Sequence, residues 1–526
     1  MRDFHLPGRS TVLAANGMCA TSHPLAAKVA IDTLESGGNA ADAAIAAAVM
    51  LGLAEPQMAG IGGDCFVLLK PPGEERIIAL NGSGQAPDAL TADRLRAKGL
   101  AAIPLDSADA VTIPGAVDAF CRLSDDWGRL GLDRLLAPAI RYADEGIAVA
   151  PRVAFDWQRD AARLTGDGRR FYLGQGKPLT TGQTFRAPGQ AEVLRRIARI
   201  GRDGFYQGEV ADDMVASLNA RGGVHSAADF AGMRSFYDDP IAAATQGHEL
   251  VEHPPNGQGA TAILLLNILS HFDLAALDPL GADRLHLEAE AVKLAYDARD
   301  RCIADPRHTA RLAHMLAPET AATLAARIDI RQAMTLPPRP DQAVHRDTVY
   351  LTVVDRDRMA VSLIYSVFWG FGVGWASSKF GILFQNRGAG FTLEPGHPNE
   401  AGPGKRPMHT IIPAMLRKND RLIMPFGVMG GDYQPAGHAA LLTNYATYGM
   451  DIQTAIDAPR SFFDAGELQV ERGIAPSVRA DLEARGHAVK LRDKPLGGAQ
   501  AIFIDARNGV LHGASDPRKD GCALGY

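Results

Sequence analysis

Cysteine is scarce and unpatterned in this chain of 526 residues. Its five cysteines, Cys19, Cys65, Cys121, Cys302 and Cys522, form no CxxC pair and are odd in number. That spacing argues against a disulfide framework and against a cysteine-ligated metal. Long hydrophobic runs are missing too. No stretch reaches the roughly 18 apolar residues that a membrane helix needs. The opening residues MRDFHLPGRSTVLAANG have no apolar signal core, so the cytoplasm is the expected address. Positive charge is not concentrated anywhere. With a net charge of −6 and a pI near 6.2, nucleic acid and anionic membranes are poor partners.

Several catalytic signatures are absent as well. Gly82-Ser83-Gly84 lacks the outer glycines of a nucleophile elbow. Gly404-Lys405-Arg406 lacks the upstream spacing of a phosphate loop, and Gly60-Ile61-Gly62-Gly63-Asp64-Cys65 misses the last glycine of a dinucleotide fingerprint. His248-Glu249-Leu250-Val251-Glu252-His253 has Glu252 where a zinc helix wants histidine. Pro254 and Pro255 follow it, and its flank favours a strand. No metal or organic cofactor is expected.

What remains is ordinary globular composition, with 46% hydrophobic and 22% charged residues, and ample material for a core. Residues 37–55 start at Gly-Gly-Asn and lead into an alanine-rich helix with Ile45, Val49 and Leu53 on one face. The small side chains predict close packing on a flat layer. A glycine loop (56–64) and the strand 65–69 follow. Residues 90–340 read as mostly helical, and 253–269 runs from a Pro-Gly loop into an apolar helix. Residues 330–346, with Pro337, Pro338 and Pro340, read as an exposed linker that tolerates cutting. Beyond 347 short strands dominate, at 349–354, 360–367, 380–384, 410–416, 421–426 and 500–504. Blocks of helices and of strands predict sheets layered with helices.

Two segments carry candidate chemistry. The strand Asp347-Thr348-Val349-Tyr350-Leu351-Thr352-Val353-Val354 opens on a threonine. A cut just before Thr348 would place a free α-amine beside the hydroxyl, where it serves as the base for a nucleophile. A five-residue turn at 355–359 pairs Val354 with Ala360 and sets Thr348 opposite Ser366. A four-residue turn sets Tyr365 there instead. The sequence leaves both registers open, and the hydroxyl pair is the chemically sensible one. Further on, Phe426-Gly427-Val428-Met429-Gly430-Gly431-Asp432 follows an apolar strand and precedes a helix. Consecutive N–H groups at Gly430 and Gly431 suit an oxyanion hole. Each pattern alone also fits a plain hairpin or a tight turn.

Together these segments resemble the γ-glutamyltranspeptidase family of N-terminal-nucleophile hydrolases. The resemblance rests on GGNAADAAIAAAVMLGLAEPQMAGIGGD (37–64), HPPNGQGATAILLLNIL (253–269), DTVYLTVVDRDRMAVSLIYS (347–366), GKRPMHTIIPAM (404–415), GVMGGDYQP (427–435) and GASDPRKDGCALGY (513–526). It implies a four-layer αββα sandwich, an α/β fold. It implies a proenzyme cut between Asp347 and Thr348 into a large subunit 1–347 and a small subunit 348–526, which stay together as one compact heterodimer. Thr348 is then the nucleophile, Ser366 the helper hydroxyl, and Gly430 and Gly431 the oxyanion donors.

The departures from the family pattern bear on the substrate. The family's carboxylate-gripping arginine falls on Ser83, its serine pair on His409 and Thr410, its amine-gripping aspartate on Gly390, and an asparagine on Phe368. Losing both clamps removes the reason to bind a zwitterionic amino acid. Arg387, beside Asn386, enters near the lost aspartate and offers a cation for a substrate carboxylate. The QNRGAGF and KRPMHTIIP forms resemble a divergent branch that includes oxamate amidohydrolases. A short 391–405 segment leaves no long lid, which favours hydrolysis over transfer. The expectation is a hydrolase of small acid amides. A γ-glutamyl hydrolase or transferase and a glutaryl or cephalosporin acylase are the alternatives, and a scaffold without catalysis is the remote one. The sequence does not set the oligomeric state.

Overall fold

The computed structural model describes His5, residues 8–335 and residues 347–526. Most of the expected linker, 336–346, lies outside the described residues. Two seven-stranded sheets make up the centre. The first holds, in spatial order, Cys522–Gly525, Met18–Thr21, Asp347–Val354, Ala360–Phe368, Asp64–Lys70, Ile78–Gly82 and Phe236–Asp238. The second holds Val12–Ala14, Val510–Ser515, Gly498–Asp505, Arg421–Met429, Ala414–Lys418, His248–Glu252 and Ile241–Thr245. All neighbours within both sheets are antiparallel. Both sheets contain strands from before and after Thr348.

The helix Ala40–Ala54 covers the first sheet, and every one of its residues is buried. It starts at Asn39, whose side chain accepts from the Asp42 N–H while Asp42 accepts from the Asn39 N–H. The Asp355 carboxylate closes the neighbouring hairpin by accepting from the Met359 N–H at 3.0 Å. It also accepts from the Ala40 N–H at 3.0 Å, so one side chain ties the turn to the positive end of the helix. At Gly52 a Cβ would come within 3.3 Å of the Tyr365 hydroxyl oxygen, which is why this helix is built of small residues.

Across the sandwich, strands Asp347–Val354 and Ala360–Phe368 lie on Arg421–Met429. A Cβ at Gly427 would sit 2.4 Å from the Tyr350 ring. Helices Gly259–Leu269 and Gln434–Leu442 back the second sheet, and Ala282–Cys302 lies on the first of them. Four layers result, in the expected order: helix, sheet, sheet, helix. They form one shared sandwich.

Three local expectations need correction. Residues 380–384 are not a strand. Gly381 has φ of +69°, which breaks the pleat, and only the bridge Ala376–Leu383 forms. The strand expected from 410 begins at Ala414, because Pro413 has no N–H to give a ladder. The mostly helical 90–340 region also supplies three sheet strands between Phe236 and Glu252. His248–Glu252 is therefore a strand, in keeping with its β-prone flank.

Candidate active site

The hairpin takes the five-residue turn. Val354 faces Ala360 and Val349 faces Tyr365, and the register slips between Val349 and Asp347, which faces Phe368. Thr348 sits at this irregularity, 2% exposed. Its Oγ1 donates to Ser366 Oγ at 3.3 Å. Ser366 Oγ accepts in turn from the Phe368 N–H at 2.8 Å and from Arg387 Nη2 at 3.5 Å. Arg387 is 1% exposed. Its Nη1 donates to Thr410 Oγ1 at 2.8 Å, and its guanidinium carbon lies 3.9 Å from the centre of the Phe368 ring. Phe368 holds this stack with φ of +82°, a conformation a bulky residue adopts only where its surroundings impose it.

A buried pair lies next to this chain of contacts. Asp64 faces Ser366 across the sheet. Its carboxylate accepts from the Gly115 N–H, from Gln385 Nε2 and from His409 Nε2, at 3.1, 2.8 and 3.1 Å. The Ile411 N–H reaches His409 Nδ1 at 3.4 Å, so the imidazole proton sits on Nε2. Burial raises the Asp64 carboxyl to about 7, against the pull of its N–H donors and of Arg387. Burial, then Arg387 and His253, hold His409 well below its ordinary value. His409 is therefore a neutral imidazole that donates to Asp64.

The glycine loop starts a helical turn at Gly430, whose N–H groups such a turn leaves without partners. Gly430 and Gly431 have φ of +131° and +60°, which side chains disfavour. A Cβ at Gly430 would also meet Gly497 Cα at 2.9 Å. The loop is braced from below. Gln258 Nε2 donates to the carbonyls of Thr410 and Gly431, at 2.6 and 3.0 Å. Arg299 Nη1 holds Gln258 Oε1 and Asp432 Oδ1, each at 2.8 Å. Thr348 and Gly430 share a cavity with Tyr433, Arg492, Lys494 and Lys519. Arg387 is not among the described lining of that cavity, and it reaches Thr348 through Ser366.

Of the expected site residues, Thr348, Ser366, Arg387 and Thr410 come together by direct contact. His409 joins them through Asp64, and Gly430 shares the cavity. Asn386 and Ser83 are engaged elsewhere. Asn386 donates to the Leu105 carbonyl and accepts from the Trp369 N–H. Ser83 donates to Asn81 Oδ1 at 2.7 Å and accepts from Asn256 Nδ2 at 3.2 Å. Asp64, Gln258, Gln385 and Arg299 escaped the sequence reading. Asp64 and Gln258 stand inside GIGGD and PPNGQGA, where a polar residue that closes a glycine loop was the available signal.

Such a sandwich, with a threonine opening a central strand, defines an N-terminal-nucleophile amidohydrolase. The sequence profile of the γ-glutamyltranspeptidase family matches residues 26–526. The chain belongs to that family. It is 35% identical over 535 residues to the oxamate amidohydrolase proenzyme of Klebsiella pneumoniae, covering 98% of this chain and 100% of that one. It is 34% identical over 528 residues to the glutathione hydrolase-like YwrD proenzyme of Bacillus subtilis, covering 98% and 99%. The crystal structure of a cephalosporin acylase from Bacillus halodurans superposes with a TM-score of 0.92 at 38% identity, over 100% and 99% of the two chains. Among the described residues no helix is long and apolar enough to cross a membrane.

Proposed function

We propose that the chain cuts itself before Thr348 and then hydrolyses small amides that carry a carboxylate close to the scissile carbonyl. In the precursor, Thr348 Oγ1 attacks the Asp347 carbonyl carbon. The peptide C–N bond breaks as the acyl group moves to Oγ1, which frees the Thr348 amine, and water then cleaves that ester to give the Asp347 carboxyl and restore the Thr348 hydroxyl. That amine, with a reference pKa of about 7.7–8.0, takes the hydroxyl proton in each later turnover. Oγ1 attacks the substrate amide, and the N–H groups of Gly430 and Gly431 hold the oxyanion. The nitrogen leaves protonated, and water cleaves the threonyl ester. Ser366 keeps the Thr348 hydroxyl oriented throughout.

The observation that carries this reading is the short relay from the nucleophile to a cation. Two contacts, of 3.3 and 3.5 Å, link Thr348 Oγ1 to Arg387 Nη2 through Ser366. A guanidinium so near the reacting carbon suits a carboxylate on the adjacent carbon better than one several methylenes away. Thr410 fixes Arg387 by accepting from its Nη1, and His409 holds the neighbouring Asp64. The similarity to the Klebsiella oxamate amidohydrolase supports the same substrate class. Ammonia release from oxamate and other short acid amides, set beside hydrolysis of a γ-glutamyl anilide, is the test. Faster turnover of the anilide would overturn the assignment.

A second reading rests on the cavity. Its lining sets Arg492, Lys494 and Lys519 in the same cavity as Thr348 and Gly430, which suits a carboxylate at the far end of a longer acyl chain. With the likeness to a cephalosporin acylase, this favours a larger acyl or amine group. A glutaryl amide in the same panel separates the two.

A further inference from the structure

Helix Ala282–Cys302 has two working ends. Arg299, near its end, braces the oxyanion loop. His286 lies 13 residues earlier, about 20 Å back along the axis at about 1.5 Å per residue. His286 and Glu290 are one turn apart and share a face. His487, just past helix Pro476–Ala484, meets both, and all three side chains are buried. His286 Nδ1 is 2.8 Å from His487 Nε2, and His487 Nε2 is 3.9 Å from Glu290 Oε1. One ligand atom from each residue lies within 4.8 Å of the other two. The reaction proposed above uses none of them.

We propose that His286, Glu290 and His487 bind a divalent zinc-class metal ion, with water as a fourth ligand. Two imidazoles and a carboxylate form a common zinc donor set. Imidazole nitrogen selects zinc and its transition-metal neighbours over calcium or magnesium. The ring orientation is already set. His286 Nε2 stands 2.8 Å from the Asp329 carbonyl. A carbonyl only accepts, so Nε2 carries the proton and the Nδ1 lone pair faces the cluster, as it does in metal sites with a carbonyl behind the histidine. His487 Nδ1 is buried without a hydrogen-bond partner among the described residues. The ring can hold its proton there and turn an Nε2 lone pair to the metal without giving up a bond on that side.

Lys293 is the competitor. Its ammonium sits 2.6 Å from Glu290 Oε1 and 2.8 Å from the Met334 carbonyl. A metal must displace that contact or share the oxygen, so affinity is set by the loss of one ion pair. Glu290 Oε2 accepts from the Met334 N–H at 2.9 Å, which holds the carboxylate in place. The cluster thus joins helix 282–302, the 329–334 segment and the 476–487 segment. If the cut falls before Thr348, the metal bridges the two subunits, although binding itself does not need the cut.

Tag-free full-length protein, stripped with a chelator and dialysed against zinc, is measured for bound metal and for melting temperature. About one zinc per chain is expected, with a higher melting temperature that the chelator reverses. His286→Ala with His487→Ala should abolish both, and Lys293→Gln should tighten binding. Cobalt(II) in the wild-type protein supplies a readout that does not depend on variants folding, because a four-coordinate N/O site absorbs visibly. No retained zinc and no cobalt spectrum, or the same zinc in the folded double variant, would overturn the proposal.

Discussion

At the residue scale, the proposed site is one hydroxyl supplied with a base, a helper and an oxyanion loop. Thr348→Ala should leave a single uncut chain of 55.9 kDa with no hydrolysis, read on a denaturing gel and by ammonia release. Arg387→Met removes the cation that reaches the nucleophile through Ser366. Charged hydrogen bonds contribute about 1.5–3 kcal/mol, so kcat/KM on short acid amides should fall about 10- to 100-fold. Amides without a carboxylate should be spared. The pH profile carries a second signature. The Thr348 amine must be neutral to act, and Asp64, raised to about 7 by burial, must be ionised to accept from His409, Gln385 and Gly115. Both groups lose function as pH falls, so log kcat/KM should steepen to a slope of about two below about pH 7. In Asp64→Asn only the amine should remain, with a slope near one. A wild-type slope that stays at one would remove Asp64 from the active arrangement.

At the element scale, the hairpin and its helix set the positions. Gly427→Ala would drive a Cβ into the Tyr350 ring between the sheets, and overpacking of this kind costs roughly 1–3 kcal/mol. The urea midpoint should drop accordingly. An unchanged midpoint would mean that the sheets part easily there. Much at this scale was legible in the sequence. Asn39 and Asp42 mark the start of helix 40–54, and its alanines mark its closeness to a sheet. The turn length stayed open between four and five residues; the hairpin takes the five-residue turn 355–359, and Thr348 reaches Ser366 by a hydrogen bond at the slipped end of the ladder. What was not legible came from local backbone geometry and from long-range contacts. Gly381 and Pro413 interrupt two expected strands through backbone geometry. Phe368, in the place of an asparagine, gains its role from stacking under Arg387, a contact across 19 residues of sequence. Ser83 and Asn386 were picked by position along the chain, yet their hydrogen bonds go to Asn81, Asn256, Leu105 and Trp369.

At the scale of the whole molecule, both sheets mix strands from before and after Thr348. Asp347–Val354 lies between Met18–Thr21 and Ala360–Phe368, and Ala414–Lys418 lies between His248–Glu252 and Arg421–Met429. Neither piece has a complete sheet, so the two fragments should co-elute as one particle and separate only in denaturant. The family and its layers were readable from glycine loops and hairpin together, because their order along the chain is far more specific than any single motif. Substrate class rests on fewer residues and was less readable. The most direct measurement is N-terminal sequencing of the smaller fragment, together with its intact mass. A fragment that begins Thr-Val-Tyr-Leu and ends at Tyr526 is expected. Fully active protein that remains one continuous chain, or a fragment that begins elsewhere, would contradict the assignment of Thr348 as the nucleophile.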